Sequence, residues 1–165
     1  MVKLSFRTVV PGKVDQVFQY FANFANIAEW DPGCKSSKLC ASSSGSEGVA
    51  EGTRFDLVTV FKGRESKMTY EVKTYEEPHK VVLEGFTSVV HALDEIRFSQ
   101  DESDPDRTRV EYDADIRLRG VFKLFTPFIR RSIMELAPAA QQGFESKAGE
   151  LFGKEEEAQE GHSTM

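Results

Sequence analysis

The chain has 165 residues, 39% of them hydrophobic and 29% charged, which is the composition of one soluble globular domain. That length buries a core without disulfides or metals. A formal net charge of −6 argues against nucleic acid as a partner, because phosphate binding needs a basic surface.

Residues 3–10 alternate, with Leu4, Phe6, Thr8 and Val10 on one face, and predict a strand. The opening MVKLSFRTVV is too short and polar for a signal peptide, and no run reaches membrane-spanning length. A cytoplasmic protein is therefore expected. After Pro11-Gly12, Val14, Val17, Phe18 and Phe21 recur at helical spacing and predict a short helix to about Ala22. Asn23 reads as a break or cap before a second helical turn over residues 24–30. Asp31-Pro32-Gly33 is a turn signal.

Residues 34–42 read as a weak strand. Its cysteines, Cys34 and Cys40, lie six residues apart on one extended segment, too far apart to bridge each other. There is no Cys-x-x-Cys and no histidine cluster, so no metal site is expected, and with no phosphate-binding loop in the sequence no cofactor is expected either. Residues 42–48 read as a flexible connection.

A run of strands follows. Over 53–61, Phe55, Leu57, Thr59 and Phe61 share a face. A turn at 62–65 leads into a return strand over 66–75, with Met68, Tyr70 and Val72 on one face. Glu77-Pro78 breaks it, and residues 81–86 form the next strand. Over 90–100, Val90, Ala92, Asp94, Ile96 and Phe98 are in phase. Over 108–119, Val110, Tyr112, Ala114, Ile116 and Leu118 alternate with Glu111, Asp113, Asp115 and Arg117, so one face is wet and the other covered.

The stretch GVFKLFTPFIRR at 120–131 interleaves Phe122, Leu124, Phe125 and Phe128 with Lys123, Arg130 and Arg131, just after Arg117 and Arg119. Two readings stand. The rings fold into the core beneath a basic rim, or Phe122, Phe125 and Phe128 make weak contact with a membrane surface. From residue 127 to about 152, Ile129, Ile133, Leu136, Ala137, Ala140, Phe144, Ala148 and Leu151 recur at three- and four-residue spacing. This predicts one long amphipathic helix, capped by Thr126 and kinked at Pro138. Small residues interrupt the bulky ones on its face, which suggests a hollow beneath it. Residues 153–165 hold four Glu against one Lys and read as a disordered acidic tail after a single domain over 1–152. The order of elements makes an α+β protein, a single antiparallel sheet wrapped on a helix.

Several short motifs recur in order. They are Val14, Val17 and Phe18; Trp30-Asp31-Pro32-Gly33; Gly52-Thr53-Arg54-Phe55; Glu77-Pro78; Asp94 with Phe98; and Arg107-Thr108-Arg109-Val110. Together, over residues 3 to 152, they resemble the SRPBCC superfamily, which includes polyketide cyclase/dehydrase-like and START-like proteins. The resemblance implies a helix-grip fold: a curved seven-stranded antiparallel sheet around a long C-terminal helix, with two short helices after the first strand. It also implies a cavity for a lipid, polyketide, sterol or quinone-like molecule. Some members catalyse cyclisation or dehydration. The oligomeric state does not follow.

Parity then assigns the cavity wall. Besides Phe6 and Ile116, Phe55, Leu57 and Thr59 face inward, followed by Met68 with Tyr70, Ala92 with Asp94, and Tyr112 with Ala114. Ile133, Ala137, Ala140 and Phe144 face them from the helix. An inward Asp94 loses hydration, so its pKa rises or it finds donors. It either works as a general acid or base, with Tyr70 or Tyr112 orienting a ligand oxygen, or it simply hydrogen-bonds within the core. His91 has the opposite parity and is expected outside. Trp30 is a structural anchor or a ligand stacker.

The leading reading is a protein that binds or carries a small hydrophobic ligand. The alternatives are an acid–base enzyme on a polyketide- or steroid-like substrate, and a membrane-touching quinone or lipid accessory protein.

Overall fold

The computed structural model describes residues 1–41 and 48–163, with side chains as far as Gly153. The expected flexible connection at 42–48 lies, apart from Gly48, outside the described residues.

Seven strands form one antiparallel sheet: β1 Val2–Pro11, β2 Cys34–Leu39, β3 Arg54–Phe61, β4 Arg64–Glu76, β5 Lys80–Phe86, β6 Val90–Gln100 and β7 Arg107–Leu118. Their spatial order is β1-β7-β6-β5-β4-β3-β2. From β2 to β7 each strand pairs with the next in sequence, and β1 closes against β7. Period-two alternation sends most apolar residues of the central strands to one face, with exceptions such as Leu93 and Phe86 outside, and the sheet curls around that face.

Between β1 and β2 lie α1, Val14–Phe21, and a 3-10 turn, Phe24–Glu29. Val17, Phe18 and Phe21 are buried, as the helical spacing predicts. Asn23 caps the turn, its side chain accepting from the Ala25 N–H at 3.0 Å. After β7 come a 3-10 turn, Gly120–Phe125, then α2, Thr126–Met134, and α3, Leu136–Ser163. Both α2 and α3 pack along β1.

The C-terminal helix departs from expectation in three ways. First, it is broken at Glu135 rather than kinked at Pro138. Pro138 has no N–H for the carbonyl four residues earlier and its ring crowds that carbonyl, so the ladder stops and Pro138 falls in the first turn of α3. Second, Thr126 lies inside α2 and makes no capping hydrogen bond; Phe125 holds the cap position. Third, α3 runs on to Ser163, so the segment read from composition as a disordered tail is helical over most of its length. Glu, Lys, Gln and Ala are good helix formers, and extending an existing helix carries no nucleation cost.

One end of the curled sheet is packed solid. Phe18, Phe21, Phe24, Phe55, Phe98 and Phe144 are fully buried there. Phe21 stacks on Phe144 with ring centroids 3.7 Å apart, and Trp30 meets Phe144 edge-on at 5.2 Å. Gly143 sets the approach of α3 to this cluster: a Cβ there would stand 1.8 Å from the Trp30 carbonyl oxygen. The helix lies so close because that position has no side chain.

Candidate functional site

The other end of the sheet is hollow, and short side chains are the reason. Ala92 on β6 and Ala114 on β7 face Ala137 and Ala140 on α3 across a cavity of about 470 Å³. Gly85 on β5 pairs with Tyr70 on one side and Ala92 on the other. A Cβ at Gly85 would lie 2.6 Å from the Tyr70 ring and 2.8 Å from the Met68 methyl. The glycine therefore gives Tyr70 and Met68 the space to lie where they do.

Most residues assigned by parity do line this cavity: Phe6, Thr59, Met68, Tyr70, Ala92, Asp94, Tyr112, Ala114 and Ile116 from the sheet, and Ile133, Ala137 and Ala140 from the helices. Phe55, Leu57 and Phe144 do not, which corrects their assignment. They have the right parity but lie within the packed core. Phe144 is held between Phe21 and Trp30, and Phe55 lies beside Phe24. Of the thirteen phenylalanines, only Phe6 and Phe61 contribute to the wall.

Asp94 and Tyr112 are the buried polar pair of the wall. Asp94 is 5% exposed, and the Tyr112 hydroxyl donates a hydrogen bond to its Oδ2. The two are diagonal neighbours on paired strands, since Asp94 opposes Ala114 and Ile96 opposes Tyr112. Loss of hydration pushes Asp94 up to about 7 from its usual 3.8. The Tyr112 hydrogen bond works against that rise, while the charges of Asp31 and Asp115 add to it. Burial, and then the charge on Asp94, push the hydroxyls of Tyr70 and Tyr112 well above their usual range.

Asp31 also lines the cavity. The sequence marks it as a turn residue within the Trp30-Asp31-Pro32-Gly33 motif, and it does hold that turn: its Oδ1 accepts from the Gly33 N–H at 2.8 Å. Burial raises its pKa as well, against the lowering effect of that hydrogen bond. Its place directly after Trp30, a buried cavity-lining ring, was the signal that could have found it. Among the described lining residues the basic one is Arg64, on the exposed hairpin between β3 and β4.

His91 lies on the outer face, where its Nε2 is 2.7 Å from Glu84, so it takes no part in the cavity. Phe122, Phe125 and Phe128 are 45%, 54% and 79% exposed, which overturns the reading that they fold into the core. Cys34 is buried and Cys40 partly so, and they form no disulfide.

The site is thus an apolar chamber with a carboxyl–phenol pair set in its wall. A carboxyl titrating near neutrality can donate to, or accept from, a ligand oxygen held against it, and can pass a proton there.

A family model described as polyketide cyclase / dehydrase and lipid transport matches residues 1–148. The chain belongs to that family. No curated protein matches the sequence. Among solved structures, it is similar to a START superfamily protein from Mycobacterium smegmatis, with a TM-score of 0.72 and 13% identity over 90% of this chain and 98% of the other. A protein from Thermus thermophilus matches with a TM-score of 0.69 and 14% identity, covering 88% and 96% of the two chains. The Zhui aromatase/cyclase from a Streptomyces species matches with a TM-score of 0.67 and 15% identity, covering 88% and 92%. At these identities the likeness is one of fold, the curved helix-grip sheet with its long C-terminal helix.

Proposed function

We propose that this member of the polyketide cyclase/dehydrase and lipid transport family binds a small, mostly apolar molecule bearing one oxygen function. The apolar part fills the chamber beneath Ala137 and Ala140, and the oxygen meets Asp94 and Tyr112. The observation that carries this reading is a buried, hydrogen-bonded carboxyl–phenol pair in the wall of a mostly apolar cavity of about 470 Å³. Ligand pockets are built this way, with apolar area supplying affinity and a few polar groups fixing orientation. A ligand head bearing a negative charge fits poorly, because Asp94 and Asp31 are both acidic and Arg64 lies out on the hairpin.

The test is native mass spectrometry of the protein from its source, followed by titration with a fluorescent apolar probe. Ala140→Phe should fill the chamber, remove any co-purifying mass and weaken the probe at least about tenfold, with the fold retained. Unchanged affinity would place the ligand elsewhere.

A second reading is supported by the pKa of Asp94. A carboxyl poised at about 7 against a tyrosine hydroxyl suits proton transfer to and from a carbonyl-bearing substrate, as in a cyclase or dehydratase. The fold likeness to an aromatase/cyclase is consistent with it. The two readings separate at Asp94→Asn: a carrier keeps its ligand with a modest change in affinity, whereas an acid–base enzyme loses turnover by two orders of magnitude or more, roughly the share of such catalysis.

A further inference from the structure

The segment between β7 and α3 exposes a run of large apolar side chains close together in sequence. Val121 is 72% exposed, Leu124 77% and Phe128 79%; Phe122, Phe125 and Met134 are each about half exposed. The 3-10 turn Gly120–Phe125 buries none of its residues. Val121 and Leu124 are three apart in that turn, and Leu124 and Phe128 are four apart as it passes into α2, so the three line one outward stripe. Ile129 and Ile133, also four apart, face the other way and line the cavity. α2 therefore carries the cavity wall on one side and an uncovered greasy ridge on the other.

Charge is distributed just as unevenly. Residues 117–134 hold Arg117, Arg119, Lys123, Arg130 and Arg131 and no acid. The whole chain is −6 and this segment +5, leaving −11 for the rest. All five cations are exposed, and Arg131 also reaches Glu135 at 3.3 Å. Among the described residues no helix is long and apolar enough to cross a membrane.

We propose that the ridge Val121, Leu124, Phe125 and Phe128, with its flanking cations, docks the protein peripherally on an anionic lipid surface, bringing the α2 side of the cavity against the bilayer. Rings at the headgroup boundary and cations among anionic headgroups are the two components such binding needs. A second copy of the chain is a poorer occupant. It would bring two segments of charge +5 together, at a cost that an anionic bilayer turns into a gain. The docking face and the chamber are separate claims, since Leu124 and Phe128 do not line the cavity and Ala140 is not on the ridge.

The experiment is co-sedimentation of the full chain with phosphatidylcholine vesicles, with and without phosphatidylserine, at low and high salt. Binding should require phosphatidylserine and weaken at high salt. Leu124→Asp with Phe128→Asp should reduce it about tenfold or more, and Arg130→Glu with Arg131→Glu should remove its dependence on anionic lipid. Both pairs of positions are exposed, so circular dichroism and probe binding in the chamber should be unaltered. Ala140→Phe should sediment as the parent does. No sedimentation at low salt overturns the proposal while leaving the chamber intact. So does a dimer in gel filtration that the Leu124/Phe128 variant dissociates, because the ridge would then be an interface between copies.

Discussion

Tyr112 reaches Asp94 from the neighbouring strand and donates a hydrogen bond to it inside the cavity. Each group changes the other: the bond holds Asp94 below where burial alone would put it, and the charge on Asp94 suppresses ionisation of Tyr112. The pair is neutral or singly charged according to pH within the physiological range.

Stability should therefore depend on pH through Asp94. Its pKa is raised on folding, from 3.8 to about 7. The folded state holds a proton that the unfolded state has released, so this contribution is complete below about pH 4 and is lost as pH rises through 7. The full span is on the order of 4 kcal/mol. Asp94→Asn removes it, so the variant should gain on the parent as pH rises from about 5 to about 8. Urea midpoints at both ends measure the difference; parallel curves would mean that Asp94 is hydrated.

Tyr112→Phe deletes the one hydrogen bond that lowers Asp94. The Asp94 carboxyl should then titrate above about 7, as followed by its carbon NMR shift. The loss should cost about 1–3 kcal/mol where Asp94 is ionised and less where it is protonated. A carboxyl that moves down instead would contradict the geometry.

Gly85→Ala tests the space under Tyr70. The new methyl would overlap the Tyr70 ring and the Met68 methyl, and both must move into the chamber. We expect about 1–3 kcal/mol of destabilisation, a changed near-ultraviolet circular dichroism from the tyrosine, and weaker probe binding. Affinity equal to that of the parent would mean that Tyr70 has room elsewhere.

Gly143→Ala should be the harsher change, because its methyl meets backbone rather than a side-chain end. With the Trp30 carbonyl oxygen only 1.8 Å away, α3 must lift off the aromatic cluster. A loss of about 3 kcal/mol or more is expected in thermal or urea unfolding. A near-neutral result would show that the helix does not lie on the turn.

Much of the inner face was readable in advance. Asp94, Tyr70 and Tyr112 follow from alternation with Ile96, Val72 and Val110, because a strand's side chains must alternate whatever the strand packs against. Phe55, Leu57 and Phe144 obey the same parity and still miss the chamber. Parity names a face and not a position along it, and their end of the sheet is filled by rings from α1 and the 3-10 turn. Asp31, Gly85 and Gly143 carried no period at all. Their roles arise from contacts with residues far away in sequence.

The same division holds for the C-terminal segment. Spacing alone made it amphipathic, and Pro138 alone required an interruption, because both are consequences of local backbone geometry. Whether Phe122, Phe125 and Phe128 lay in the core or on the surface was left open by the pattern, since rings beside cations suit either. Packing decided it: α2 turns Ile129 and Ile133 to the cavity, and the remaining rings have no sheet left to cover. The size of the chamber was settled the same way. It is the distance between a curled sheet and a helix held off it by aromatic rings at one end, and a distance between elements is not written in either one.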